Sequence, residues 1–257
     1  LQAVAAIGQH ELMQMYKKLF KKGKLNCAQV LLTWEDFNDR KRYLNAKNTI
    51  LTLLKLGSIP IINENDTVST DEIKFGDNDR LSALVSSLIG ADLLIILSDV
   101  DGLLDKDKKV IRVIDEITPQ IKALACPTNK KTCVGGMITK IEAAKIAVDS
   151  GIPCVIANGR REDIISCAIT NSSQTGTLFV PKKSLAARER WIAFGTKPKG
   201  KVVVDEGAKK ALLNKKSLLS VGVVRLEGNF ETSDVVSVID KQNNEFARGK
   251  AGLSSKQ

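Results

Sequence analysis

Two short stretches carry residue types whose spacing could do chemistry. Between Asn63 and Asp79 the sequence NENDTVSTDEIKFGDND holds six carboxylates, three asparagines and a single lysine over seventeen positions. Such a loop offers carboxylate and carbonyl acceptors to an ammonium group and amide donors to a carboxylate. The second stretch is VGGMITK, Val134 to Lys140. Two glycines before a helix let backbone amides approach a phosphate, and the helix start adds a partial positive charge. Lys140 would bring a full charge to the same anion. Plainer readings stand beside both. Asn and Asp cap helices and shape turns, although one or two suffice for that, and a Gly-Gly before a helix is often only a loop. The spacing D-x-[DN]-x-[DN]-G with its closing Glu is absent, against a calcium loop, and G-x-x-x-x-G-K-[ST] is absent, against a Walker A loop.

The apolar pattern says what must hold these stretches. Residues 59–62 read as a buried strand, with Pro60 expected at its start. Leu81, Leu84, Val85, Leu88 and Ile89 form one face of a helix, opened by the GDND of residues 76–79 and stopped by Gly90. Residues 93–97 are a second buried strand ending in Ser98 and Asp99. Strand, polar loop, helix, strand is a βαβ unit with its chemistry at the strands' carboxyl ends. Upstream, residues 1–20 are helical, with Val4, Leu12, Met15, Tyr16, Leu19 and Phe20 apolar, and residues 28–33 form a strand. A helix starting at Asn38 or Asp39 shows Tyr43, Ala46, Ile50, Leu53 and Leu54 on one face and closes at Lys55 and Gly57. Downstream, residues 105–109 are an exposed hairpin or loop, and residues 152–157 a strand turning at Asn158-Gly159. This alternation predicts an α/β fold, a mostly parallel sheet sandwiched by helices.

Composition sets outer bounds. A chain of 257 residues can bury a sizeable core and has room for one large and one small domain. It has no run of eighteen apolar residues, so no membrane span is expected. The five cysteines are odd in number and scattered, without a C-x-x-C pair, which argues against a zinc site or disulfide framework and for a reducing cytoplasm. His10 is the only histidine and reads as a surface or packing residue, which leaves little for a Ser-His-Asp mechanism. Charge is uneven: 23 Lys and Arg against 21 Asp and Glu over residues 1–180, but 16 against 8 over residues 181–257. A basic C-terminal quarter suits RNA or another polyanion, or is a solvated lysine-rich surface.

The run NENDTVSTDEIKFGDNDRLSALVSSLIGAD followed by LLIILSDVDGL resembles the glutamate 5-kinases of the amino-acid kinase family. The resemblance implies transfer of the γ-phosphate of ATP, brought as its Mg2+ complex, to the side-chain carboxylate of L-glutamate, the first step of proline biosynthesis. Carried over position by position, Asp66 and Asn78 would contact glutamate, with Asn63 and Asp77 lining the same pocket. The nucleotide would meet Ser98, Asp99 and the segment Val134, Gly135, Gly136, Met137, Ile138, Thr139 and Lys140. The catalytic pair would be Lys140 and Asp79, Asp79 orienting Lys140 and a further lysine. In the family that lysine, and a small-residue turn contacting glutamate, lie upstream of the first helix. The sequence therefore reads as lacking its N-terminal part, and the chain as given is expected to be catalytically silent. Residues 175–182, TGTLFVPK, close the kinase domain as in this family. The expected division is a kinase domain over 1–181, a linker over 182–199 and, over 200–257, a domain resembling PUA, a small β-barrel-like fold, short enough that it too reads as incomplete. Phe230 and Phe246 are its only aromatic residues, few for base stacking, which weakens the case for RNA binding without deciding it. The resemblance further implies a cytoplasmic homo-oligomer, dimer or tetramer, with proline as feedback inhibitor and glutamyl-phosphate reductase as partner. Two alternatives stand: another phosphotransferase of the same family, or an RNA-binding regulator on a relic kinase fold.

Overall fold

The computed structural model describes residues 2–68, 78–125, 136–181, 189, 191–214 and 216–257. The chain divides into two compact units, Leu1–Ala187 and Arg188–Gln257.

The first unit runs α1 (Gln2–Lys22), β1 (Asn26–Leu32), α2 (Trp34–Asn38), α3 (Arg40–Lys55), β2 (Ser58–Glu64), α4 (Asn78–Ile89), β3 (Leu94–Ser98), β4 (Val113–Ile114), α5 (Pro119–Leu124), α6 (Met137–Asp149), β5 (Cys154–Asn158), α7 (Ile164–Thr170) and β6 (Thr177–Phe179). Strands β1 and β2 pair in parallel, Asn26 opposite Ser58 through Leu32 opposite Glu64. The other four are ordered β3-β5-β6-β4. β3 lies parallel to β5 and β4 to β6, while β5 and β6 are antiparallel. The sheet is thus mostly parallel, as the alternation of elements requires.

Strand β5 shows why its sequence is apolar throughout. Cys154 and Ile156 face a core shared with Leu94, Ile96, Phe179 and the buried alanines of α4 and α6. Val155 and Ala157 face Ile164 and Ala168 of α7. Side chains alternate with period two, so a strand covered on both faces must be apolar at every position. Ala83, Ala143, Ala144 and Ala147 are fully buried, which lets α4 and α6 pack closely. A larger side chain there would overpack the contact at about 1–3 kcal/mol.

Three expectations shift. The first strand ends at Leu32 because Thr33 is taken as the cap of α2, a helix of five residues too short for periodicity to reveal. Asp36 accepts from the Thr33 amide at 2.6 Å and from its hydroxyl at 3.0 Å, and the turn buries Trp34 and Phe37. The next helix starts as expected, with Asp39 accepting from the Arg42 amide at 2.8 Å. Pro60 lies third in β2, not first. Among the described residues β2 has a neighbour on one side only, and edge strands tolerate proline. The apolar side of α1 is not buried either: Val4, Leu12, Met15 and Leu19 are exposed, and Tyr16 and Phe20 are half-buried.

The second unit contains β7 (Gly200–Val204), α8 (Glu206–Leu213), β8 (Val223–Glu227), β9 (Val235–Ile239) and β10 (Glu245–Lys250). Its strands form an open sheet ordered β10-β9-β7-β8, and the described residues contain no closed barrel. Val202, Val204, Phe230, Val236 and Val238 make its core. A Cβ on Gly200 would meet Phe230 Cδ1 at 2.4 Å, so the start of β7 requires glycine.

Candidate active site

α4 and α6 lie side by side and point the same way. Ser87, near the end of α4, shares a buried hydrogen bond of 3.0 Å with Ser150, the C-cap of α6. At the other end Asp79, in the first turn of α4, meets Thr139 and Lys140 in the first turn of α6. Two helix N-termini therefore open beside each other, and their partial positive charges add at one place. Each helix leads into a strand, α4 into β3 and α6 into β5. Their N-termini accordingly sit at the end of the sheet where β3 and β5 finish.

The Lys140 ammonium approaches Asp79 Oδ2 at 2.8 Å, and each side chain is only 16% exposed. Removing one partner from a pair so shielded leaves an uncompensated charge, at about 3 kcal/mol. Thr139 Oγ1 reaches the same Oδ2 at 3.0 Å. The Asp79 charge is felt as far as Cys154 in β5, whose thiol is pushed up first by burial and then by that carboxylate. Gly136 caps α6 at φ 78°, ψ −130°, a backbone region essentially reserved for glycine. This is what allows the segment to present its amides in a tight turn.

The other expected residues fall into four places. Ser98 ends β3 with its hydroxyl 3.2 Å from Asp99 Oδ1, and its carbonyl accepts from the Gly159 amide at 2.8 Å. Met137 and Ile138 stand with Gly136, Thr139 and Lys140 at the start of α6. Asn63 lies in β2, its carboxamide oxygen accepting from the Glu64 amide at 3.0 Å. Asp66 follows in the loop, half-buried, without a hydrogen bond to any described residue. Asn78 is exposed at the first position of α4. No hydrogen bond among the described residues ties Asn63 or Asp66 to Asn78 or Asp79, whereas Asp79, Thr139 and Lys140 form one contact cluster. Asp77, Val134 and Gly135 lie outside the described residues. His10 is exposed on α1, bonded to Gln14 at 2.7 Å, as a surface residue would be.

Sequence reasoning passed over two features. Glu64, within the NEND run, is a carboxylate only 8% exposed. Arg80, beside Asp79, lays its guanidinium 4.8 Å from the centre of the Trp34 ring, tying α4 to α2. Nothing local signals either, since Glu64 follows the apolar run of residues 59–62 and Arg80 stands in a polar first turn.

Among the described residues no group of three or more acidic, histidine or cysteine side chains could hold a metal ion, and no helix is long and apolar enough to cross a membrane. The profile of the Amino acid kinase family matches residues 1–158 and that of the PUA domain residues 200–257. The Glutamate 5-kinase of Thermoanaerobacter sp. (strain X514) is 49% identical, covering all of this chain and 71% of its own length. Those of Caldanaerobacter subterraneus subsp. tengcongensis and Pelagibacter ubique (strain HTCC1062) are 50% and 48% identical, each over all of this chain and 71% of theirs. Profile, identity and the Asp79–Lys140 constellation agree: this chain belongs to the amino acid kinase family, among its glutamate 5-kinases, with a PUA domain at its C-terminal end.

Proposed function

We propose that the protein transfers the γ-phosphate of ATP to the γ-carboxylate of L-glutamate. The observation that carries this reading is the Asp79–Thr139–Lys140 cluster at two adjoining helix N-termini. Phosphoryl transfer needs little covalent help from a protein; it needs two anions held in line and the charge on the transferring group offset. The paired N-termini and the Gly136 turn offer amides to the nucleotide phosphates. Lys140 supplies the charge, and Asp79 aims it while standing back from the phosphoryl oxygens, which a bare carboxylate would repel. Ser98 and Asp99, at the same end of the sheet, suit the nucleotide. Asp66 has a carboxylate unengaged by described neighbours, suited to the α-ammonium of glutamate, and Asn78 and the Asn63 NH2 group suit its α-carboxylate. Magnesium would arrive with the nucleotide and would help to offset the charge of its phosphates. Residues 1–181 then act as the kinase domain, in a cytoplasmic homo-oligomer.

The test is ADP release and hydroxamate formation by the protein expressed from its complete reading frame, with L-glutamate or L-aspartate. Turnover should depend on glutamate. A pocket that fixes the α-substituents leaves the shorter aspartate carboxylate one methylene short of the phosphoryl group, so aspartate should turn over at least about a hundredfold more slowly. Comparable rates with the two substrates would refute the assignment.

A further inference from the structure

Thr139 belongs to the segment expected to meet the nucleotide, yet its hydroxyl points elsewhere. It stands 3.0 Å from Asp79 Oδ2 and 2.9 Å from the carbonyl oxygen of Gly136. A hydroxyl has one proton, so it can donate fully to only one of these acceptors at a time. The Lys140 ammonium competes for the same Oδ2 at 2.8 Å. Two donors therefore meet on one carboxylate oxygen, and two acceptors meet on one hydroxyl proton.

We propose that Thr139 is a positioning residue for Lys140, its hydroxyl switching between the Gly136 carbonyl and Asp79 as Lys140 leaves the carboxylate for the transferring phosphoryl group. The inference rests on the kinase reading of this site. While Lys140 is paired, its ammonium offsets the Asp79 charge, and the threonine proton can close the glycine turn at Gly136. When Lys140 turns toward the anion, Asp79 would be left as a poorly hydrated carboxylate without a donor, an arrangement that costs free energy. Rotation of the Thr139 hydroxyl onto Oδ2 supplies a charge-assisted hydrogen bond at that moment. It simultaneously frees the Gly136 carbonyl, so the position of Lys140 and the tightness of the turn are coupled. The switch is a rotation about one side-chain bond, because both acceptors lie within hydrogen-bond range of the oxygen as it stands. It needs no movement of either helix, whose far ends are already fixed to each other through Ser87 and Ser150.

The role acts when Lys140 leaves Asp79, so it belongs to kcat more than to KM. Thr139→Val keeps the shape and removes the proton; Thr139→Ser keeps the proton. The valine variant should lose about tenfold in kcat, the effect of one hydrogen bond to a charged group, with KM for glutamate within about twofold. The serine variant should recover to within about threefold of the parent. In an Asp79→Asn background, where no ion pair has to be broken, Thr139→Val should cost less than about twofold, a non-additivity that a packing role would not produce. A second readout does not depend on turnover: the rate of acetylation of Lys140 by acetic anhydride, followed by peptide mass spectrometry without nucleotide. Thr139→Val should slow it by roughly threefold, because Asp79 then holds the ammonium alone, and Thr139→Ser should match the parent. A valine variant within twofold of the parent in both readouts, or a serine variant as defective as valine, overturns the proposal. Absence of glutamate-dependent turnover in the parent would instead overturn the kinase reading, and the acetylation rates would still decide the part played by Thr139.

Discussion

Lys140–Asp79 in the first unit and Lys209–Asp240 in the second are both closed at 2.8 Å, but their carboxylates are held differently. Asp240 is saturated: Oδ1 accepts from the Gln242 and Asn244 amides at 3.0 and 2.9 Å, and Oδ2 from Lys209 and from Asn244 Nδ2. Its side chain is only 3% exposed, and every donor belongs to the turn it closes or to the helix packed above it. Asp79 takes both its donors on one oxygen, and among the described residues Oδ1 has none. Its donors are side chains in the first turn of α6, not backbone amides. One carboxylate ends its work when the chain is folded; the other retains acceptor capacity and a partner that can leave. Saturation by backbone amides marks a structural ion pair, and side-chain donors with spare acceptor capacity mark one that can act.

The sharpest break between the two comes from removing the lysines. Lys140→Ala should lower turnover on the order of 10²–10³-fold, the usual loss for one preorganised charge at a transition state, with KM for glutamate changed by less than about threefold. Lys209→Ala should leave turnover within about twofold and lower the melting midpoint instead. Steady-state kinetics and scanning calorimetry on the two variants test the contrast, which collapses if Lys209→Ala is as inactive as Lys140→Ala.

Acid separates them next. The Lys209 ammonium, and after it the Asn244 amide, hold the Asp240 carboxyl at about 2, below its ordinary 3.8. A carboxyl depressed on folding contributes stability that is complete above the unfolded value and is lost as pH falls through the folded one. The second unit should therefore lose stability between about pH 4 and pH 2. Asp240→Asn should flatten that slope and lower the midpoint at pH 7 by roughly 5 °C. Trp191, buried in the second unit, reports on it once Trp34 is replaced by Phe. An unchanged acid slope in Asp240→Asn would place the acid sensitivity elsewhere.

The difference between the pairs also explains what could be read in advance. β3 and β5 are legible because burial on both faces leaves an uninterrupted apolar run, and α4 because Leu81, Leu84, Val85 and Leu88 recur at helical spacing. Asp79 and Lys140 each lie in a motif whose chemistry can be named. Local pattern cannot pair them, since sixty-one positions separate them; the family resemblance alone did, and the parallel packing of α4 on α6 brings them together. The Thr139 hydroxyl is hidden for the same reason: its acceptors, Asp79 Oδ2 and the Gly136 carbonyl, are seen only once α4 and α6 are placed. Phe230 shows the converse. It was a candidate for stacking on a base, but at 5% exposure it belongs to the core of the second unit, and Phe246 packs against that core with Lys209 5.6 Å from its ring. Sequence reports residue type and period well, and contacts across distant segments poorly.

A third lysine–aspartate pair sets the lower limit of the comparison. Lys145 and Asp149 stand four positions apart on the outer side of α6, five residues along the same helix from Lys140, with side chains 47% and 35% exposed. Residue types and pairing match the other two, but water reaches both charges. Solvent screens their attraction, and holding two long side chains in one geometry costs entropy, so such pairs contribute only about 0.3–0.5 kcal/mol. The order of the pair, lysine before aspartate, also runs against the helix dipole. Lys145→Ala should accordingly change stability by less than about 0.5 kcal/mol, and alanine's higher helix propensity offsets part even of that. Turnover should stay within about twofold, although Lys145 lies only about 7–8 Å along the helix axis from Lys140. Adding salt to about 0.5 M should erase what difference remains, because exposed charges are screened over a few ångströms under those conditions. Urea denaturation and initial rates at low and high salt measure all three. A loss of turnover beyond tenfold in Lys145→Ala would mean that charge near the start of α6 acts in bulk, and that the position of Lys140 on Asp79 is not what distinguishes it.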